Sequence, residues 1–208
     1  MKRLFILSIA VISLIACNSN ENNDNTDIKD DNTLDESLQK DYSVNTGESV
    51  LNWKGTMVGV YAHEGTLNFK DSELSVTDGK IVSGSFTVDM NSMLTTDDDA
   101  LYANSSREKL IGHLQADDFF ATELFPTASF TIKSMEGDLI TGDLSIRGKT
   151  NSEKLTDVVF SEVNGSFTAS GNMIFDRQKY DVRYESTMKD MVLSDDIELT
   201  ITLSGNSK

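Results

Sequence analysis

Residues 196–203 read Asp-Ile-Glu-Leu-Thr-Ile-Thr-Leu. Apolar side chains occupy every second position of this stretch, and acids or threonines occupy the positions between them. Because successive side chains of a β-strand point to opposite faces, a period of two predicts a strand with one buried and one solvated face. A shift of one residue in the pairing of this strand would expose all of its apolar side chains, so its register is strongly specified.

The same alternation recurs through the chain from Tyr42 onward. It appears at Leu51 and Trp53, at Leu67 and Phe69, at Phe86, Val88 and Met90, at Ala128, Phe130 and Ile132, at Leu144 and Ile146, at Phe167 and Ala169, and at Met173 and Phe175. Turn sequences such as Thr77-Asp78-Gly79 and Val163-Asn164-Gly165 separate these stretches and favour tight hairpins. Strands joined by short turns are typical of an antiparallel barrel or sandwich, so we expect a mainly β fold.

Residues 97–120 depart from the two-residue period. Ser105-Ser106-Arg107-Glu108 has the spacing of a capping box, and Leu110, Ile111 and Leu114 then share one helical face. The segment therefore predicts a short helical insert, which could close one end of a barrel.

The first residues of the chain indicate export. Lys2 and Arg3 precede an apolar run that ends at Ala16 and is too short to span a bilayer comfortably. Leu14-Ile15-Ala16-Cys17 resembles the bacterial lipobox, in which the cysteine receives a diacylglyceryl group and becomes the first mature residue. We therefore predict a signal peptide at residues 1–16 and a lipid anchor on Cys17. An ordinary secretory signal with an incidental cysteine is the alternative.

Composition divides the remainder into a tail and one domain. Residues 18–41 are rich in Asn, Asp, Ser and Glu, which predicts a disordered segment. We expect the lipidated cysteine and an acidic tether at residues 17–41 and a barrel domain at residues 42–206; an acidic interaction tail is the alternative use of the segment. The net charge of −16 disfavours nucleic acid and anionic head groups as partners of the surface. Cys17 is the one cysteine, so no intramolecular disulfide can form.

Several motifs follow the order of those in the YceI-like family. They are Trp53-Lys54-Gly55, His63-Glu64-Gly65-Thr66, Leu110-Ile111-Gly112-His113-Leu114, Phe125-Pro126-Thr127-Ala128-Ser129-Phe130, Gly142-Asp143-Leu144-Ser145-Ile146-Arg147-Gly148 and Phe175-Asp176-Arg177-Gln178-Lys179-Tyr180. The resemblance implies a lipocalin-like antiparallel β-barrel of about eight strands. In characterised members this barrel encloses a long isoprenoid chain, such as a polyprenyl lipid or a quinone tail. Two positions depart from the pattern: Asn45-Thr46-Gly47-Glu48-Ser49 lacks the family's histidine, and Asp181 replaces a small residue.

The candidate ligand-binding residues are side chains that the alternation or the family motifs place inside the barrel. They are Trp53, Phe69, Phe86, Phe130, Phe167 and Phe175, together with the polar residues His113, Arg177 and Tyr180. The aromatic side chains could form an apolar tube in which burial contributes about 25 cal/mol per Å². Simple core packing is the alternative for each of them. Arg177 could contact a phosphate or quinone oxygen, or it could pair with a nearby carboxylate.

No motif indicates a metal site or a catalytic centre. His63 and His113 are the two histidines, and no third ligand lies at a zinc-like spacing. The chain contains neither a Gly-x-Ser-x-Gly elbow nor a glycine-rich phosphate loop, so we expect no cofactor and no enzymatic activity.

The predicted function is to bind or shuttle an isoprenoid lipid or quinone-type ligand inside a membrane-tethered barrel. The expected location is the cell envelope, with the outer membrane favoured because Asn18 is not the aspartate that resembles an inner-membrane retention signal. The main alternative is a non-catalytic envelope lipoprotein whose barrel is filled and which acts through its surface in stress response or adhesion. An isoprenoid-modifying enzyme is a third possibility.

Overall fold

The computed structural model describes residues 39–103, 105–184 and 192–208, most of which lie in strands. The strands are β1 (Gln39–Val44), β2 (Val50–Met57), β3 (Tyr61–Thr77), β4 (Lys80–Thr95), β5 (Thr127–Glu136), β6 (Leu139–Ile146), β7 (Lys149–Val163), β8 (Ser166–Asp176) and β9 (Leu193–Ser207). The helix α1 (Arg107–Gln115) lies between β4 and β5, and short 3-10 helices span Asp99–Tyr102 and Arg177–Tyr180.

The antiparallel strands close into a barrel. Neighbours follow the order β1-β3-β2-β9-β8-β7-β6-β5-β4, and β3 also pairs with β4 to complete the circle. β1 pairs with the last residues of β3 and β9, whereas β2 pairs with the earlier parts of the same two strands. β1 and β2 therefore share one position, and the barrel has eight strand positions. This confirms the predicted mainly β fold with a short helical insert.

The alternating sequence pattern accounts for the two faces of the barrel wall. β8 is the clearest example, because every second residue from Phe167 to Phe175 is buried and the residues between them are exposed. The predicted hairpin turns are also present. Asp78 and Gly79 have φ of 51° and 73°, and Asn164 and Gly165 have φ of 52° and 82°. Two-residue hairpin turns of this kind need positive φ at both central residues.

The barrel begins earlier than predicted. Residues 39–41, which we assigned to the tether, belong to β1 and pair with Ser75, Val76 and Thr77. Asp41 Oδ1 accepts a hydrogen bond of 2.7 Å from Ser75 Oγ, and Lys40 Nζ lies 2.9 Å from Glu162 Oε2. The three residues are polar and exposed, so no apolar alternation marks them as a strand.

The predicted helix is confirmed as α1, with its start one residue later than the capping-box spacing indicates. The side chain of Ser106, rather than that of Ser105, caps the helix by accepting a 3.2 Å hydrogen bond from the Lys109 amide. Arg107 ties this end to β4, because its guanidinium donates to Thr95 Oγ1 at 2.9 Å. The helix thereby presents Leu110 and His113 to the barrel interior.

Within the described residues, no helix combines the length and the apolar character needed to cross a membrane. The predicted signal peptide, Cys17 and the tether as far as residue 38 lie outside the described ranges, so they stay predictions.

Candidate ligand cavity

An apolar cavity of about 270 Å³ lies inside the barrel. Side chains of β2 to β9 and of α1 line it, and almost all of them are aliphatic or aromatic. The described lining contains no Lys, Arg, Asp or Glu side chain. Ligand pockets in proteins span about 300–1,000 Å³, so the volume of this cavity lies just below that range.

Six of the nine candidate ligand-binding residues line the cavity. They are Trp53, Phe69, Phe86, Phe130, Phe175 and His113. The five aromatic side chains lie at inward positions of their strands, as the two-residue period predicts. His113 reaches the interior because α1 packs against β4. That these residues contact a ligand stays a prediction.

Phe167 does not belong to the cavity lining, so its assignment to the apolar tube is corrected. It is 2% exposed and packs edge to face against Tyr42 and stacks on Phe160, with ring centroids 5.2 and 5.7 Å away. The hydroxyl of Tyr42 donates to Glu162 Oε2 at 2.8 Å. Burial and this carboxylate raise the pKa of Tyr42 to about 12. The aromatic cluster therefore fills the core beside β1.

Arg177 has a structural role rather than a place in the cavity, which corrects the prediction that it meets a ligand oxygen. The side chain is 3% exposed. Its guanidinium donates to Ser194 O at 3.0 Å and to Val182 O at 2.6 Å, and it pairs with Asp195 Oδ1 at 2.9 Å. These acceptors tie the chain on both sides of residues 185–191 to the 3-10 helix that holds Arg177.

Tyr180 is likewise absent from the lining. It is fully buried, its ring packs edge to face on Phe175 at 5.4 Å, and its hydroxyl donates to Glu153 Oε1 at 3.2 Å. Burial raises the pKa of Tyr180 well above its ordinary value, and the negative charge of Glu153 raises it further. The hydroxyl is therefore a neutral donor to a barrel-wall carboxylate.

A hydrogen-bonded network surrounds His63, which lines the cavity. His63 Nδ1 lies 2.6 Å from Asp97 Oδ2, and the Asp97 carboxylate also accepts from the Glu64 amide and the Tyr102 hydroxyl. Burial alone would raise the pKa of Asp97, but these hydrogen bonds and the nearby His63 hold it below its ordinary value. Asp97 therefore stays an anion at neutral pH.

Two lining residues carry buried polar atoms that have no hydrogen-bond partner in the described part of the chain. They are the indole Nε1 of Trp53 and the Nε2 of His113. Trp53 is 9% exposed, so its N–H is shielded from bulk water. Buried polar groups in proteins are normally hydrogen-bonded. Both atoms belong to residues of the lining, and neither is satisfied by the described part of the chain.

Several residues that complete the lining around α1 were not among the predicted ligand-binding residues. The ring of Tyr184 lies 4.7 Å from that of His113, and the ring of Phe119 lies 5.7 Å from it. Phe120 packs on Phe119. Phe119 and Phe120 lie at the end of the segment 97–120, which the sequence predicts to be a helical insert at one end of the barrel. Tyr184 lies outside the helices and strands, where no periodic pattern predicts the direction of a side chain.

No metal centre is evident in the described ranges, where no three His, Cys, Asp or Glu side chains group together. His63 contacts one carboxylate, and His113 Nδ1 lies 4.0 Å from Asp118 Oδ2.

The chain matches a known protein family, and its fold occurs in other solved structures. A model of the YceI-like domain matches residues 42–204. The structure of Burkholderia cenocepacia BcnA has a TM-score of 0.62 and 19% identity, and covers 77% of this chain and 98% of its own. A polyisoprenoid binding domain from Saccharophagus degradans, implicated in plant cell wall breakdown, has a TM-score of 0.53 and 14% identity, and covers 80% and 98%. At these identities the two structures show a shared fold.

Two further relatives are more similar to this chain in sequence than these two structures are. A mutant Campylobacter jejuni YceI protein is 26% identical, with a TM-score of 0.52 over 68% of this chain and 84% of its own. A UPF0312 protein of Staphylococcus aureus strain MRSA252 is 31% identical over 94 residues, which are 41% of this chain and 54% of that protein. The chain therefore spans about half the length of this curated relative.

Proposed function

Because the chain belongs to the YceI-like family, we propose that it binds an isoprenoid lipid or a quinone-type ligand in its barrel. The observation that carries the proposal is the cavity, which is lined by apolar side chains without a charged one among the described residues. Burial of an apolar chain there would drive binding. The Saccharophagus degradans neighbour, described as a polyisoprenoid binding domain, has the same fold and supports this choice of ligand class.

The binding is proposed to be non-catalytic, and the barrel is proposed to work beside a membrane. A lipid on Cys17 would hold the domain where apolar ligands are concentrated, so binding could serve storage or delivery of the ligand. The proposal predicts that the ligand is recovered chemically unchanged from the protein.

The single tryptophan provides a direct test, because Trp53 is the one tryptophan of the chain and lines the cavity. We expect geranylgeraniol to change the intrinsic fluorescence saturably at one molecule per chain. The shorter alcohol geraniol should bind more weakly because it buries fewer methylene groups. The full chain with Cys17→Ser is suitable, since it removes the predicted lipid-carrying sulfur.

A matched pair of variants on β8 distinguishes binding in the cavity from binding to the outer surface of the barrel. Ala169 lines the cavity, whereas Thr168 is exposed on the opposite face of the strand. Ala169→Leu should weaken binding about tenfold or more by filling the cavity, and Thr168→Leu should leave it unchanged. Equal effects of the two variants, or no saturable binding by a folded barrel, would favour the alternative of a filled barrel that acts through its surface.

A further inference from the structure

The turn between β2 and β3 differs in composition from other hairpin turns of the barrel. It reads Met57-Val58-Gly59-Val60-Tyr61, and the Val60 amide closes it by donating to the Met57 carbonyl at 3.0 Å. Tight turns normally contain Gly, Asn, Asp, Ser or Pro, as in Asp78-Gly79 and Asn164-Gly165. Valine is a strand former rather than a turn former. Formation of the turn therefore does not explain the two valines.

The valines of this turn form an exposed apolar patch with a third valine. Val58 and Val60 are each 55% exposed, and Val192 is 63% exposed. The Val192 carbonyl accepts a 2.8 Å hydrogen bond from the Val58 amide, which holds the two segments together. We name Val58, Val60 and Val192 the valine tip. Single exposed apolar side chains are common in proteins, whereas a cluster of them marks an interaction site.

We infer that the valine tip inserts into a membrane surface whose lipid head groups carry no net charge, and thereby docks this end of the barrel on the bilayer. The inference goes beyond ligand binding, because it concerns an outer surface of the protein. Docking needs no ligand in the barrel.

The distribution of charge along the hairpin fits the depth of a membrane interface. No Asp, Glu, Lys or Arg occurs from Gly55 to His63. The first charged residues on the two strands are Lys54 and Glu64, which lie opposite each other. Lys54 is four residues from Val58, or about 13 Å at roughly 3.3 Å per residue. Interfacial elements bury their apolar side chains about 5–10 Å deep, so the tip can insert while both charges stay in water.

The surroundings of the tip favour lipids without net charge. The whole chain carries a charge of −16, which repels anionic head groups. Asp195, the first described acid on the β9 side of the tip, is paired with Arg177 at 2.9 Å. Tyr61, at the base of the turn, is half-buried, and tyrosine is enriched where proteins meet the membrane interface.

The valine tip is also continuous with the apolar cavity. Met57 and Tyr61 flank the turn, Leu193 follows Val192, and these three neighbours line the cavity. A docked tip would therefore bring one end of the lining to the bilayer, where an apolar ligand could enter the barrel without crossing water. This route for a ligand rests on the proposed function, whereas the docking itself does not.

A fluorescent label on the tip tests the docking directly. Cys17 is the one cysteine of the chain, so Cys17→Ser combined with Val60→Cys gives a single site for a nitrobenzoxadiazole label. With ligand-free phosphatidylcholine vesicles, we expect the label emission to shift to shorter wavelength and to be quenched by lipids that carry a doxyl group on the acyl chain. The label reports the position of the tip itself, whatever other segment of the full chain binds the vesicle.

Val163 provides the matched control, because it is 66% exposed and adjoins a turn at the other end of the barrel. Ser166, on the far side of that turn, pairs with Asn206 at the end of β9, whereas Met57 pairs with Leu193 at its start. A label on Val163→Cys should show neither the shift nor the quenching.

A charge on the tip should prevent insertion. Val58→Asp should abolish the shift of the label at position 60, because a carboxylate is costly to move into the bilayer. Val163→Asp should leave that shift unchanged. The inference would be overturned by a tip label that stays in water, by equal responses at positions 60 and 163, or by a larger shift with phosphatidylglycerol vesicles. Geranylgeraniol binding to Val58→Asp without vesicles tests the proposed function separately, and we expect it to be unchanged.

Discussion

Asp97 is a buried carboxylate that joins three elements beside the cavity. Its side chain is 1% exposed and accepts hydrogen bonds from β3, through His63 and the Glu64 amide, and from Tyr102. Its carbonyl accepts from Arg107 of α1 at 2.5 Å. A neutral side chain of the same shape could not accept all of the side-chain bonds, so the connection between β3 and the 3-10 helix that holds Tyr102 depends on the charge.

Asp97→Asn should therefore lower the free energy of unfolding by about 2 kcal/mol at pH 7, because it leaves buried donors unsatisfied. Chemical denaturation measures the change. Asp99→Asn is the control, since Asp99 is two residues away, pairs with Arg107 and is 96% exposed. Similar losses in both variants would show that burial of Asp97 is not the cause.

The same carboxylate predicts a pH dependence. The pKa of Asp97 is lower in the folded protein than its ordinary value of 3.8, so the unfolded chain takes up the proton first as the pH falls. The stabilisation from the Asp97 anion is complete well above pH 3.8 and is lost as the pH falls through the lowered value. The stability difference between the parent chain and Asp97→Asn should shrink correspondingly below about pH 4. A difference that grows on acidification would contradict this assignment.

Arg177 is the residue whose role the sequence could not decide. Arg177→Met should lower the free energy of unfolding by about 3 kcal/mol, because three carbonyls and Asp195 lose their donor. The protein that remains folded should bind geranylgeraniol with unchanged affinity, since Arg177 does not line the cavity. Arg183→Met, at an arginine that is 71% exposed, should alter neither quantity. A selective loss of affinity in Arg177→Met would restore the ligand-contact hypothesis.

At the scale of elements, Gly65 permits the close approach of β3, β4 and Trp53. A Cβ at Gly65 would lie 1.8 Å from Leu94 O and 2.7 Å from Trp53 Cζ2, so a side chain requires both to move. Gly65→Ala should lower the free energy of unfolding by about 2 kcal/mol and disturb the fluorescence of Trp53.

Gly112 of α1 provides the opposite case. A Cβ there meets no atom within 4 Å, and alanine is the better helix former. Gly112→Ala should therefore raise the free energy of unfolding by up to about 1 kcal/mol. Thermal unfolding of the two variants compares them directly, and stabilisation by Gly65→Ala would contradict the packing that the structure describes.

The alternating pattern predicts strands well wherever one face is apolar, as in β8 and β9. It misses the start of β1, where Lys40 and Asp41 are held by polar contacts on the surface. The pattern also predicts which side chains point into the barrel, but it does not show whether they line the cavity or pack in the filled part of the core. Phe167 and Phe175 follow the same period, yet only Phe175 lines the cavity.

Contacts between residues far apart in sequence explain the remaining differences. Arg177 sits beside an acid in sequence, but its acceptors are the carbonyls of residues that follow it by up to 17 positions. Asp97 lies in a run of three acids, and only its long-range partners distinguish it from Asp98 and Asp99. No local pattern encodes such distances.

At the scale of the whole molecule, we propose separate roles for two parts of the chain: the barrel binds the ligand, and the predicted lipid on Cys17 binds the membrane. Cys17→Ser should abolish the incorporation of labelled fatty acid into the protein, because the sulfur that would carry the lipid is missing. The affinity of the barrel for geranylgeraniol should be unchanged, since residues 39–208 contain the described cavity lining. Incorporation of labelled fatty acid into Cys17→Ser would contradict the lipobox assignment.

The most direct test concerns the proposal that the barrel holds an isoprenoid lipid or a quinone-type ligand. Native mass spectrometry of the full chain purified from producing cells, followed by solvent extraction, tests it most directly. We expect one non-covalent molecule per chain that passes unchanged into organic solvent and carries a long isoprenoid chain. A folded barrel whose mass is fully explained by the polypeptide and its covalent lipid, and which takes up no added geranylgeraniol, would contradict it.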